Sequence, residues 1–421
     1  MIRKSITINN VDKCSGGCLY CIAASNMNYS MGVNYNDIIT SVKHIDDMMY
    51  KQAQFDFNAL EKLLDNDPDI KKVIKDNQPI SFDTWGADPV TCFQCLQEVV
   101  EFIEHYCYTR HINNYSISTS TNGLPLLRDE VCGYLRKHHI HVQLSHDGLG
   151  QWIRTKDVDP LDFDNVRKLI RDGTITAINA TLCFWNYSLF NNIKYFNGKL
   201  KEIFPEVWSD KEMASERLSN VYKRLYIKLN HIMDGEYDVK GKHKDYGIPL
   251  GDMSLHNDAK LQNEIGYGAH VLDDYLYEWD VYFEKVRSNK HNTLELMSFN
   301  RYLIEQLKRG RKMNDWHKDG NMCRKYQMGS ISYSEHIDTT GRYCDCNLQD
   351  ADHPVPNREN KKPEHCDNCK YKYSAECNMC GSVIPRKECE YYYRWNQFLD
   401  KTRGTLVHGN NNKSRRNNKH N

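Results

Sequence analysis

The chain has no long hydrophobic run. No stretch approaches the roughly 20 apolar residues that span a bilayer, and the opening MIRKSITINN lacks the apolar core of a secretion signal. Neither membrane insertion nor export is expected, and the expected location is the cytoplasm. An excess of either charge is lacking too. Lys+Arg and Asp+Glu both number 56, so no global field draws in nucleic acid or an anionic membrane. Internal repeats are absent. With 421 residues, 40% of them hydrophobic, the chain is long enough for one large catalytic domain and a smaller module.

Cysteine, by contrast, is abundant. Sixteen cysteines without an export signal point to metal or redox use rather than to disulfides. Cys14, Cys18 and Cys21 form one group, and Cys323, Cys344, Cys346, Cys366, Cys369, Cys377, Cys380 and Cys389 form another. Two metal regions are expected. The other five are read as ordinary thiols: Cys92 and Cys95 in an apolar helix, and Cys107, Cys132 and Cys183 without partners at metal spacing.

The first half alternates between strand and helix signals. Strands are expected around Ser5–Ile8, Ile80–Phe82, Tyr115–Ser118, Ile140–Ser145, Ile175–Leu182 and Leu225–Ile232, with amphipathic helical patterns between them. Six such units predict an α/β fold with a partial (β/α)6 barrel over 1–232, whose site lies at the C-terminal ends of the strands. A helical bridge that shapes a substrate pocket is expected over 233–320. A cysteine-rich module follows over 321–395, then a disordered basic tail over 396–421.

The loop Cys14-Ser15-Gly16-Gly17-Cys18-Leu19-Tyr20-Cys21 has CX3CX2C spacing. Three thiolates on one short loop can reach three irons of a [4Fe–4S] cubane and leave the fourth open to a small molecule. A structural zinc site wants four N/S ligands, and this loop offers three. The loop resembles the cluster loop of radical S-adenosylmethionine (SAM) enzymes. That resemblance implies a full or partial barrel, SAM chelated by the open iron, and reductive cleavage to methionine and a 5′-deoxyadenosyl radical that takes a hydrogen from substrate. Gly86-Ala87-Asp88-Pro89 resembles the family's Gly-Gly-Glu/Asp-Pro motif, which receives SAM's amino group, with alanine at the second glycine. The segment from Ser118 to Gly123 resembles the third strand end. Ser145, Asp147 and the downstream Arg154 resemble the fourth-strand residues that approach SAM's ribose and carboxylate.

The distal cysteines contain CX2CX7CX2C, which alone suits a zinc ribbon as well as an iron–sulfur site. One zinc site uses four of the eight, whereas two four-iron clusters use all. The arrangement resembles the SPASM extension of radical SAM enzymes. By that resemblance Cys323, Cys346 and Cys380, with Cys344 as a candidate fourth ligand, serve one auxiliary cluster. Cys366, Cys369, Cys377 and Cys389 serve the other. Asp345 resembles the aspartate with which sulfatase-maturing relatives deprotonate their substrate, although a solvent-facing aspartate explains it equally.

The resemblance implies oxidative modification of a peptide or protein side chain, and an electron donor such as a flavodoxin or ferredoxin. A barrel that begins near residue 1 leaves no room for a recognition domain before it, so a separate peptide-recognition protein is expected for a leader-dependent substrate. Modification of a nucleic acid, nucleotide or small molecule is the alternative, favoured only by the basic tail. A non-catalytic zinc-binding interaction protein is the reading from another class.

Overall fold

Strand residues alternate between two environments here, and that alternation explains the sheet. The computed structural model describes residues 3–11, 14–15, 55–86, 88–155, 158–182, 186–209, 214–231, 269–288, 302–304, 307, 332–337, 342–344, 368 and 393–403. Six parallel strands lie side by side in sequence order: β1 (Arg3–Val11), β2 (Ile80–Gly86), β3 (Tyr115–Thr121), β4 (His141–Ser145), β5 (Ile175–Leu182) and β6 (Tyr226–His231). Helices fill the crossovers. These are α1 (Phe57–Asn66) and α2 (Pro68–Lys75), α3 (Phe93–Thr109), α4 (Asp129–Lys137), α5 (Trp152–Thr155), α6 (Asp164–Asp172), α7 (Leu189–Ile203), α8 (Pro205–Trp208) and α9 (Ala214–Arg224).

From β1 to β6 the strand order never reverses. Right-handed crossovers then put the helices between these strands on one face, and the six strands wind in the sense of a barrel rather than a doubly wound sheet. The helix-covered face carries Ile6, Phe82, Ile117, Leu144, Ile178 and Leu229, all buried. Sealing each such side chain contributes roughly 1.5–3 kcal/mol. The other face carries Ser81, Asp83, Ser118, Gln143, Asn179 and Lys228, all half-buried. A closed barrel packs that side with bulky apolar layers. Here it is polar.

Local chemistry sets the helix ends. Asp56 caps α1 through Ala59 N–H (2.9 Å), and Asp67 caps α2 through Asp69 and Ile70 N–H (2.7 and 2.8 Å). Ser188 caps α7. Glu278 adds a second acceptor there, taking Ser188 Oγ–H and Phe190 N–H from the neighbouring α10 (Ala269–Ser288).

Two boundaries differ from expectation. Among the described residues the sheet has eight strands, because β7 (Ser332–Ile337) runs parallel to β1, in register from Arg3↔Ser332 to Ile8↔Ile337. The two-residue β8 (Tyr343–Cys344) pairs antiparallel with β7. Part of the expected 321–395 module thus belongs to the barrel sheet, where it covers an otherwise open β1 edge. The expected tail from 396 also begins too early, since 393–403 is helical. Trp395, Phe398, Leu399 and Thr402 recur at helical spacing and are buried. Trp395 packs on Trp279 of α10 at 5.5 Å between ring centroids. Among the described residues no helix is long and apolar enough to cross a membrane.

Candidate active site at the strand ends

Cys14 and Ser15, just past β1, are held by short polar side chains from the turns after β2 and β3. Ser15 is fully buried, with its N–H and Oγ at 3.3 and 3.0 Å from Thr91 Oγ1. Asn122, just past β3, donates from Nδ2 to Ser15 Oγ (3.0 Å) and to Cys14 Sγ (3.6 Å). A donor aimed at a cysteine sulfur stabilises negative charge there. Cys18 and Cys21 lie outside the described residues.

Asp88 joins the same loops. Its Oδ2 accepts from Asn122 N–H (2.8 Å) and Thr121 Oγ1 (3.2 Å), and its Oδ1 from Val90 N–H (3.1 Å). Burial pushes this carboxyl up to about 6, and those hydrogen bonds act in the opposite direction. Gly86 ends β2 at φ 142°, a conformation open to glycine. Ala87 lies outside the described residues.

At the end of β4, Asp147 is wholly buried and holds Arg154 by two contacts, Nη2 to Oδ1 (3.0 Å) and Nε to Oδ2 (3.2 Å). Thr181 N–H of β5 donates to Oδ1 (2.8 Å), and Asp147 N–H donates to Gln151 Oε1 (2.9 Å). Asn186 Nδ2 bridges the carbonyls of Asp147 and Thr181 at 2.8 and 2.9 Å. The two-point contact fixes the guanidinium plane. Of the residues expected to meet SAM, Asp147 and Arg154 thus meet each other.

Next to Asp147 in the chain, the buried His146 joins a second, half-buried polar group. His146 Nδ1 accepts from Gly148 N–H (3.1 Å), which places the ring proton on Nε2, facing Asp159 Oδ1 at 2.8 Å. Tyr195 and Lys199 also bind Asp159. Burial pushes the Asp159 carboxyl up, but His146, Lys199 and Tyr195 together hold it well below the ordinary carboxylate range. Gly148 has φ +60°, and a Cβ there would sit 2.4 Å from Asn192 Oδ1. Gly148→Ala is therefore expected to destabilise the fold by more than the ~1–2 kcal/mol of a left-handed alanine. Urea denaturation measures this, and SAM binding by the same variant shows whether the Asp147 turn has moved.

The remaining sequence candidates are distributed differently. Ser118 lies within β3, below the strand end, and donates to Asp83 Oδ1 (2.8 Å). Ser145 is the last residue of β4, on the polar face. Cys344 ends β8. Cys323, Asp345, Cys346, Cys366, Cys369, Cys377, Cys380 and Cys389 lie outside the described residues, as does Cys183. Cys107 and Cys132 are buried in the core, where burial pushes their thiols up to about 12 and 11. Cys92 and Cys95, expected as separate thiols, are joined in a disulfide, because a CX2C across the first turn of α3 brings their Cα atoms to 5.3 Å.

Sequence reading placed Ser15 in the cluster loop and Asn122 in the third strand end without giving either a role, and it missed Thr91. The signal for Thr91 was position, two residues past Pro89 and at a strand-to-helix turn. A thiol beside an amide donor, on a loop carrying two further cysteines, fits a cluster with cysteine ligands.

No protein-family model matches the chain, and no curated protein matches it. Among solved structures it is similar to native anSMEcpe with bound AdoMet and Cp18Cys peptide, at 14% identity over 96% of this chain and 99% of that one, with a TM-score of 0.48. It is similar also to native anSMEcpe with bound AdoMet and Kp18Cys peptide, at 16% identity over 96% and 99%, with a TM-score of 0.49.

Proposed function

We propose that the chain is a radical SAM enzyme with a SPASM-like extension, which oxidatively modifies a side chain of a peptide or protein in the cytoplasm. The observation that carries this reading is the gathering of its motifs at one end of the sheet. Cys14 lies beside Asn122, Asn122 is tied to Asp88, and Asp147 grips Arg154.

Cys14, Cys18 and Cys21 would hold a [4Fe–4S] cluster. When bound, that cluster supplies the electron that splits SAM into methionine and a 5′-deoxyadenosyl radical. Asn122 and Ser15 fix the loop, and the Asn122 amide steadies charge on Cys14. The strand end at Gly86, Ala87 and Asp88 receives SAM's amino group. Asp147 orients Arg154 toward SAM's carboxylate, while Ser118 and Ser145 offer hydroxyls on the polar face. The eight distal cysteines would hold two auxiliary [4Fe–4S] clusters, with Asp345 as the base for the substrate. A flavodoxin or ferredoxin supplies electrons, and a separate protein presents a leader-dependent peptide.

Anaerobic reconstitution with metal and sulfide analysis tests this reading. Brown protein with about twelve irons and matching sulfide is expected for three four-iron clusters. Colourless protein holding zinc would support the interaction-protein reading instead.

A further inference from the structure

The polar face of the sheet has a charge without a counter-charge. Asp83 lies in the middle of β2, with Thr7 of β1 and Ser118 of β3 as its register neighbours. Ser118 Oγ–H donates to Oδ1 at 2.8 Å. Neither neighbour carries charge, and Asp83 has no cationic partner among the described residues. The other titratable residues on this face stand on other strands. His141 is two strands away on β4, and Tyr226 and Lys228 are on β6, across the sheet. On β1, Arg3 holds the same face four residues before Thr7, and His336 holds the Thr7 level on β7.

A carboxylate inside a wall of serines is costly unless something offsets its charge. Burial, only partly opposed by Ser118, pushes the Asp83 carboxyl up to about 6. The wall also holds one unmet acceptor, three strands away on β5. Asn179 Nδ2 donates to Gln143 Oε1 (2.9 Å), while the buried Asn179 Oδ1 has no partner among the described residues. Both acceptors stand on the face that a closed barrel would have filled with apolar side chains. A carboxylate with one neutral donor and no counter-charge, on a half-open surface, suits a ligand that brings donors and positive charge.

We propose that the polar interior face binds a cationic group of the substrate, an ammonium or a guanidinium, with Asp83 as its counter-charge and Ser118 as the residue that orients Asp83. This site rests on the proposed function, with a peptide entering from the strand ends, and it calls for a basic residue in that peptide. Ser118 then belongs to the substrate side of the site rather than to the SAM side.

Equilibrium dialysis of the full chain with radiolabelled methylguanidinium, against N-methylurea as the uncharged counterpart, tests this without SAM or reductant. Wild type is expected to bind the cation in preference to the urea, about tenfold tighter near pH 7 than near pH 5 as Asp83 loses its proton. Asp83→Asn is expected to bind at least about tenfold more weakly and without that pH dependence. Equal binding by Asp83→Asn, or equal binding of N-methylurea, would overturn the proposal. If Asp83→Asn fails to fold, the wild-type pH profile and the urea comparison decide alone. Because the assay involves no radical chemistry, its failure would leave SAM cleavage untouched, and a failure of SAM cleavage would leave this site standing.

Discussion

Asp147→Ala is expected to lose SAM binding and to destabilise the protein by roughly 3–5 kcal/mol, the usual effect of breaking a buried ion pair from one side. Asp147 is wholly buried, and the Arg154 side chain is only 11% exposed. Without the carboxylate, Arg154 keeps its charge but loses both anchoring contacts, and Thr181 N–H loses its acceptor. Folded domains are stable by about 5–15 kcal/mol in all, so this change removes a large part of the margin. Asp147→Asn separates the two effects. It retains an acceptor for Thr181 N–H but cannot grip the guanidinium at two points with full charge. It is therefore expected to unfold at a denaturant concentration between those of wild type and Asp147→Ala, while still binding SAM poorly. Chemical denaturation and SAM equilibrium dialysis on the three proteins give both readings. Wild-type SAM affinity in Asp147→Asn would show that Arg154 does not need this anchor.

The second large effect is expected at the cluster loop. Replacing Cys14, Cys18 and Cys21 together by alanine is expected to remove about four irons per chain and to abolish SAM cleavage. Cys107→Ala and Cys132→Ala are the controls. Both thiols lie in the apolar core, away from any strand-end motif, so each change is expected to alter stability while leaving iron content unchanged. Iron analysis beside a melting curve distinguishes a lost ligand from a lost fold. Full iron in the triple variant would assign every cluster to other cysteines.

Much of the barrel is legible in the sequence because its strands face two environments. Ile80 and Phe82, or Val142 and Leu144, alternate with polar neighbours, and this period survives into the structure as a buried and a half-buried face. The pairing of β1 with β7 was not legible. It joins residues more than 300 positions apart through backbone hydrogen bonds, which leave no mark on side-chain pattern. The helix at 393–403 was obscured by its composition, since Lys401, Arg403 and the asparagines beyond outweigh Trp395, Phe398 and Leu399 in any average. Asp83 was passed over between two clear signals, the Ile80–Phe82 strand and the Trp85-Gly86 turn.

The candidate site divides along the same line. Residues within one motif, such as Asp147 and Arg154, could be named from sequence, but not that they grip each other. Residues that act between motifs gave no sequence signal for that role. Ser15, Thr91 and Asn122 look like ordinary turn formers, and only folding three loops together makes them a clasp. Short polar residues serve both purposes with the same chemistry.

The proposed function stands or falls on whether a cluster held by Cys14, Cys18 and Cys21 cleaves SAM. The most direct measurement is anaerobic reconstitution, reduction, addition of SAM and quantification of 5′-deoxyadenosine. 5′-Deoxyadenosine is expected to form with wild type, to depend on the reductant and to be absent from the triple alanine variant. No 5′-deoxyadenosine from fully reconstituted, reduced wild type, even with candidate peptides present, or an equal yield from the triple variant, would contradict it.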